Sequence, residues 1–206
     1  MHIVAISLNI GAGNKMGIIL GTGYRARTGK DTVGDYLEDR FGWYRTCFAA
    51  SLKEATKAIY GWGDVHVYGE AKETLDPFWE ITPREALQKL GTEIRKTMRP
   101  DIWVKSVQRR IEIEPEANWI ITDVRFPNEV EVIKKLGGFV IRIDRTYPDQ
   151  ISTQGHESEH ALDNFKAWDD IIDNNSSFED LFISVDKTIE RLSLNQLASK
   201  TILESW

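Results

Sequence analysis

Residues 17–41, "GIILGTGYRARTGKDTVGDYLEDRF", constrain the fold more than any other segment. The apolar run "GIIL" (17–20) is the kind that forms a buried parallel strand. Val33, Tyr36, Leu37 and Phe41 then recur at i, i+3, i+4 and i+8, which predicts a helix with one apolar stripe. Between them lies "GTGYRARTGKDT". A loop joining a strand to a helix N-terminus offers unpaired N–H groups and the positive end of the helix dipole to an anion. Strand, glycine-containing loop and helix together predict an α/β sheet built around a phosphate-binding loop.

The spacing departs from the usual pattern, which places four residues between the first glycine and Gly-Lys-Ser/Thr. Here five residues separate Gly23 from Gly29, and Tyr24 stands where the first glycine belongs. Asp31 replaces the hydroxyl residue, and Thr32 follows one step later. Lys30 is placed to reach the β- and γ-phosphates. The plain alternative is a helix cap with a solvated lysine. That leaves Arg25 and Arg27 crowding a tight turn without a reason, whereas a bound anion supplies one. The segment is read as a phosphate loop of Gly23, Tyr24, Arg25, Thr28, Gly29, Lys30, Asp31 and Thr32, with Lys30 exposed. Asp31 keeps two open roles: holding a magnesium-bound water, or favouring the helix N-terminus through the dipole.

Further strands are expected at "RTCFAA" (45–50), at 119–122, at 139–143 and near 170–172. Helices are expected from Ser51, from Pro83 behind a Thr82–Glu85 capping box, after a capping Asp101, over 127–136, and from the Asn174-Asn175 turn to about 193. The final residues, to Trp206, suggest one more. Strands alternating with helices predict a parallel sheet of five strands with both faces covered. The helical stretch 51–115 is an insertion over the sheet's carboxyl edge, where ligands bind in such folds.

A chain of 206 residues can bury roughly 70% of its unfolded surface as one domain. Its net charge of −6 argues against general attachment to nucleic acid. Cys47 is the only cysteine, which excludes an internal disulfide and fits a cytoplasmic location. No apolar run reaches the roughly 18 residues of a membrane span. Residues 1–15, ahead of the natural first strand, read as an appendage.

"HESEH" (156–160) matches the His-Glu-x-x-His zinc signature, with Glu157 as base and Glu179 as the available third ligand. Glu159 would put a charge inside a helix that should be largely buried, and Gly155 precedes it. The histidines His156 and His160 are therefore assigned to a polar segment rather than a metal centre.

The blocks "GYRARTGKDT", "ALQKLGTEIRKTMRPDIWVKSV", "ITDVRFPNEVEVIKKLGGFVIRIDR" and "HESEHAL…DDIIDNNSSFEDL", in this order over residues 17–192, resemble bacteriophage deoxynucleoside monophosphate kinases. The resemblance implies a three-layer P-loop kinase fold. It also implies transfer of the γ-phosphate of ATP, with Mg2+, to a deoxynucleoside 5′-monophosphate, and a homodimer. The acceptor's second phosphate pKa is about 6, so positive charge rather than a general base is required.

On the donor side Lys30, Arg25 and Arg27 supply that charge. On the acceptor side the resemblance points to Lys53, Arg84, Gln88, Gly91 and Thr92. Trp103 is either a base-stacking ring or a core aromatic. Asp123 would serve magnesium, as Asp31 would through water. Arg125 would meet the transferred phosphoryl or the monophosphate, or else pair with Asp123 at a strand end. Asn128 and Glu129 would cap the next helix. Asn174 and Asn175 would contact adenine or simply make the turn, and 146–160 would be a lid. Two competitors remain, a dephospho-coenzyme A kinase and a non-catalytic ATP-binding regulator.

Overall fold

The structure, a computed structural model, describes residues 16–146 and 160–203, with side chains up to Asn195. The expected appendage 1–15 and most of the expected lid lie outside the described residues. Five strands form one sheet: β1 (Ile19–Gly23), β2 (Tyr44–Thr46), β3 (Trp119–Val124), β4 (Phe139–Asp144) and β5 (Asp170–Asp173). Their order is β2-β3-β1-β4-β5, and every neighbouring pair is parallel. This is a three-layer P-loop kinase fold.

Side-chain alternation along the strands divides the core. Ile19, Trp119, Ile121 and Val140 point to one face, where they pack with Val107, Ile111, Val130 and Ile133. Those partners belong to α5 (Ile102–Ile113) and α6 (Pro127–Lys135). Leu20, Ile120, Ile141 and Ile143 point to the other face and meet Val33, Leu37, Leu181 and Val185. These come from α1 (Lys30–Phe41) and α7 (Phe178–Leu203). The period of two in a strand places neighbouring residues on opposite faces, so a sheet covered on both sides reads as a continuous apolar run.

The insertion has a smaller core of its own. Leu52, Val67, Leu87 and Trp103 cluster there, drawn from α2 (Ala50–Tyr60), α3 (Asp64–Val67), α4 (Pro83–Thr97) and α5. The Thr82–Glu85 capping box is formed, with Glu85 N–H donating to the Thr82 hydroxyl and Thr82 N–H to the Glu85 carboxylate.

Four expectations change. β2 stops at Thr46, because Ala50 N–H bonds the Cys47 carbonyl and the chain turns directly into α2. β3 runs on to Val124, so Asp123 lies within the strand rather than beyond it. Asp101 makes no side-chain cap; its carboxylate is held by Arg99 instead. α7 continues to Leu203 without the break expected near 193, since no glycine or proline interrupts residues 178–203.

Candidate active site

β1 ends at Gly23 and α1 starts at Lys30, leaving residues 24–29 to form the loop. Gly29 has φ +104, and a Cβ there would stand 2.4 Å from Asn174 Nδ2. Two non-glycine residues are also left-handed, Tyr24 at φ 88 and Arg27 at φ 62. Such a conformation costs on the order of 1–3 kcal/mol per residue unless its surroundings hold it. For Tyr24 they do. The Arg142 guanidinium lies 3.9 Å from its ring centroid and that of Arg25 lies 5.0 Å away. The edge of Trp168 completes the enclosure. The tyrosine in the glycine's place thus accommodates the loop's extra residue.

Lys30 differs from expectation. It is 6% exposed, and its ammonium turns inward to donate to the Arg25 carbonyl and, at 3.4 Å, to the Thr28 hydroxyl. The Thr28 hydroxyl itself donates to the Arg25 carbonyl. The lysine is part of the loop's internal wiring as well as a charge facing the cavity.

Asn174 is buried, and its amide donates to the Thr28 carbonyl at 2.9 Å. The side chain, expected at adenine or in a plain turn, ties the loop to the end of β5. Asn175 bonds Asp173 and accepts from Thr146 N–H, as a turn residue does. Asn174→Ala is expected to lower stability by about 1–3 kcal/mol by removing the donor from a buried carbonyl. It is also expected to raise the KM for the donor nucleotide more than that for the acceptor. Urea unfolding and steady-state kinetics check both.

Asp31 is exposed beside the loop, with Arg45 at 2.7 Å. Arg45 also pairs with Asp35 one turn on. Gly34 lies beneath this clamp: a Cβ there would approach Arg45 Nε to 3.0 Å and Thr122 Cγ2 to 2.6 Å. Thr32 borders a separate, smaller cleft with Tyr36 and Phe182.

On the neighbouring strand, Asp123 Oδ1 accepts the Phe48 N–H at 2.8 Å. Burial raises its carboxyl above the ordinary range, more than that bond and the Lys53 and Arg125 charges lower it. Glu129, expected as a helix cap, accepts the N–H groups of Arg125 (2.7 Å) and Phe126 (3.0 Å). Burial, and then the Asp123 charge, push it up to about 8.

A folded pKa above the unfolded value contributes stability that is full below about pH 4.5 and is lost as pH rises through about 8. Glu129→Gln should therefore gain on the wild type progressively between about pH 5 and pH 9. Urea unfolding at a series of pH values tests this; a constant difference would mean that Glu129 does not titrate in that window.

A cavity of about 1400 Å³ separates the sheet's carboxyl edge from the insertion. Of the expected residues it brings together Arg27, Lys30, Asp31, Lys53, Arg84, Gln88, Trp103, Asp123 and Arg125. Ten basic and six acidic side chains line it, so the cavity is positive in a chain of net charge −6. Lys53 lies 4.1 Å from the centroid of the Tyr68 ring, and Arg84 pairs with Glu73.

Gly91 and Thr92 do not line the cavity. Gly91 admits Leu52, whose Cδ2 would stand 2.9 Å from a Cβ there. Trp103 is 6% exposed and donates its indole N–H to the Gly91 carbonyl, which favours the core role. Arg45, Tyr68, Lys72, Arg95 and Arg110 line the cavity without having been expected. For two of them a signal existed. Arg95 falls eleven residues after Arg84 and Arg110 seven after Trp103, both returning to within roughly 20° of the same helix face, whereas Thr92 at i+8 drifts by roughly 80°.

His160 bonds Asp163 at 3.0 Å, and Asp163 pairs with Arg25 of the loop at 3.5 Å. The rest of the "HESEH" segment lies outside the described residues. Among those described, no group of three or more His, Cys, Asp and Glu side chains could hold a metal ion. Magnesium does not require one, since it is commonly bound by one or two carboxylates together with substrate phosphates. The donor chemistry fits. Asp123 is a half-buried carboxylate whose ionised form a cation would favour. The Thr46 hydroxyl, buried in the cavity wall, has no hydrogen-bond partner among the described residues.

The family model for deoxynucleotide monophosphate kinase matches residues 65–185. A protein of Acanthamoeba polyphaga mimivirus provisionally named a deoxynucleotide monophosphate kinase is 34% identical over 184 residues, covering 81% of this chain and 93% of that protein. The deoxynucleoside-5′-monophosphate kinase of Escherichia phage T5 is 39% identical over 56 residues, 27% of this chain and 22% of that one. Among solved structures, shikimate kinase from Aquifex aeolicus aligns with 86% of this chain and 99% of its own at 15% identity, with a TM-score of 0.43. The fold itself is read from the strand order.

Proposed function

The chain belongs to the deoxynucleotide monophosphate kinase family and phosphorylates deoxynucleoside monophosphates, and we propose that it does so from ATP with magnesium across the cavity above. The observation that carries this reading is the convergence of Lys30 with Lys53, Arg84 and Arg125 on one positive cavity at the carboxyl edge of β1 and β3. The loop N–H groups and Lys30 bind the donor's phosphates. Lys53 and Arg84 hold the acceptor's phosphate. Arg27 and Arg125 meet the charge on the phosphoryl group in flight. Asp123, with Asp31 through water, would hold the magnesium ion, which when bound would neutralise the donor's phosphates.

No side chain need remove a proton, because the acceptor phosphate is mostly ionised at neutral pH. What the chain's own residues supply is orientation and fixed positive charge, which dominate phosphoryl transfer. No helix among the described residues is long and apolar enough to cross a membrane. The expected location is the cytoplasm of a host cell.

The test is ADP and diphosphate formation from Mg-ATP, assayed separately with each deoxynucleoside monophosphate, each ribonucleotide and dephospho-coenzyme A. Turnover of at least one deoxynucleotide, dependent on magnesium, is the expected result. ATP binding without turnover of any acceptor would sink the proposal in favour of a regulator.

A further inference from the structure

Lys72 has entered only as an unexpected neighbour of the cavity. It lies in the short 3-10 turn Glu70–Glu73, is half-buried, and shares the cavity with Lys53, Arg84 and Arg125. Burial lowers its pKa, and the charges of Lys53, Arg84 and Arg125 lower it further, against a contrary pull from Glu73. Among the described residues it forms no ion pair, and Glu73 beside it is engaged by Arg84. Four cations, delivered by α2, the 3-10 turn, α4 and the segment after β3, therefore line one cavity, in which Arg84 is exposed and paired with Glu73 while Lys72 is half-buried.

Like charges gathered out of water destabilise a protein unless something of opposite charge joins them. The occupant that fits is a dianion, and a phosphate monoester at neutral pH is one. We propose that Lys72 binds the acceptor's 5′-phosphate directly, as the third cation of a cradle with Lys53 and Arg84, beside Arg125. This rests on the acceptor subsite assigned above. It adds a residue from a stretch, "GEAKETLD", in which no periodicity marks any side chain as functional. Because the 3-10 turn packs between α3 and α4, the cradle is closed by a part of the insertion distinct from the helices that form its other walls.

The experiment compares wild type with K72M, K72R and, as a reference for the subsite, R84A. Kinetics with both substrates are combined with calorimetric titration of a deoxynucleoside monophosphate, the matching deoxynucleoside and inorganic phosphate. K72M is expected to raise the KM for the monophosphate about 10- to 100-fold, the range of one charge-assisted hydrogen bond. The KM for ATP should stay within about twofold, and K72R should recover most of the loss, since any cation restores the charge. Weakened binding of inorganic phosphate together with the monophosphate, and not of the deoxynucleoside, assigns the contact to the phosphate.

The melting temperature of unliganded K72M should equal or exceed that of wild type, because a repulsion has been removed. A lysine serving only the fold would lower it. If R84A raises the monophosphate KM and K72M does not, the role of Lys72 is overturned. If neither does, the acceptor subsite lies elsewhere and Lys72 falls with it. Should K72M fail to fold, K72Q provides the same comparison.

Discussion

Lys30→Met is expected to lower kcat by at least about 10²–10³-fold, the loss typical of removing one preorganised charge from a transition state. It is also expected to destabilise the protein by about 1–3 kcal/mol. The second effect follows from the inward turn of the side chain. Methionine keeps the aliphatic stem but leaves the Arg25 carbonyl without its ammonium donor, with the Thr28 hydroxyl still donating to it. An exposed lysine, as the sequence suggested, would have been removable at almost no cost to folding. Single-turnover assays and urea unfolding separate the two losses. Wild-type turnover would remove Lys30 from the chemistry; unchanged stability would mean that the inward bond contributes nothing in solution.

Arg125→Ala is expected to cut kcat by at least about 10²-fold while leaving the ATP dissociation constant within about twofold. The backbone on which Arg125 sits is fixed by the Glu129 carboxylate, which accepts both its N–H and that of Phe126. The guanidinium therefore enters the cavity from a pinned position, on a cavity wall it shares with the half-buried Asp123. Arg125→Lys should recover only part of the rate, since an ammonium cannot reproduce the planar fork that engages two phosphoryl oxygens. Equal loss of ATP affinity and rate would place Arg125 on the donor; no loss at all would return it to a structural part.

The layering of the fold was legible because it is written in local periodicity. A strand-length apolar run followed by an i, i+3, i+4 stripe has few other ways to bury itself, and four of the five strands fell where expected, β2 overlapping its expected run only at Arg45 and Thr46. Their lengths were less legible. β2 ends early because Asp123, 75 residues away in sequence, captures the Phe48 N–H and favours the turn into α2. Asn174 is a similar case. Its position after the last strand suggested a ligand contact, yet its partner is the Thr28 carbonyl 146 residues upstream, and no local pattern encodes that pairing. Lys72 was invisible for another reason: a charged residue in a polar 3-10 turn looks solvated until its neighbours' charges are known.

The separate cluster of Leu52, Val67, Leu87 and Trp103 gives the insertion a core apart from those on the sheet's two faces. α5 is the joint, sending Trp103 into that small core and Val107 and Ile111 into the large one. Where the insertion holds the acceptor, as proposed, a change in which acceptor fits can be made against the small core, and α5 is the element through which it would reach the large one.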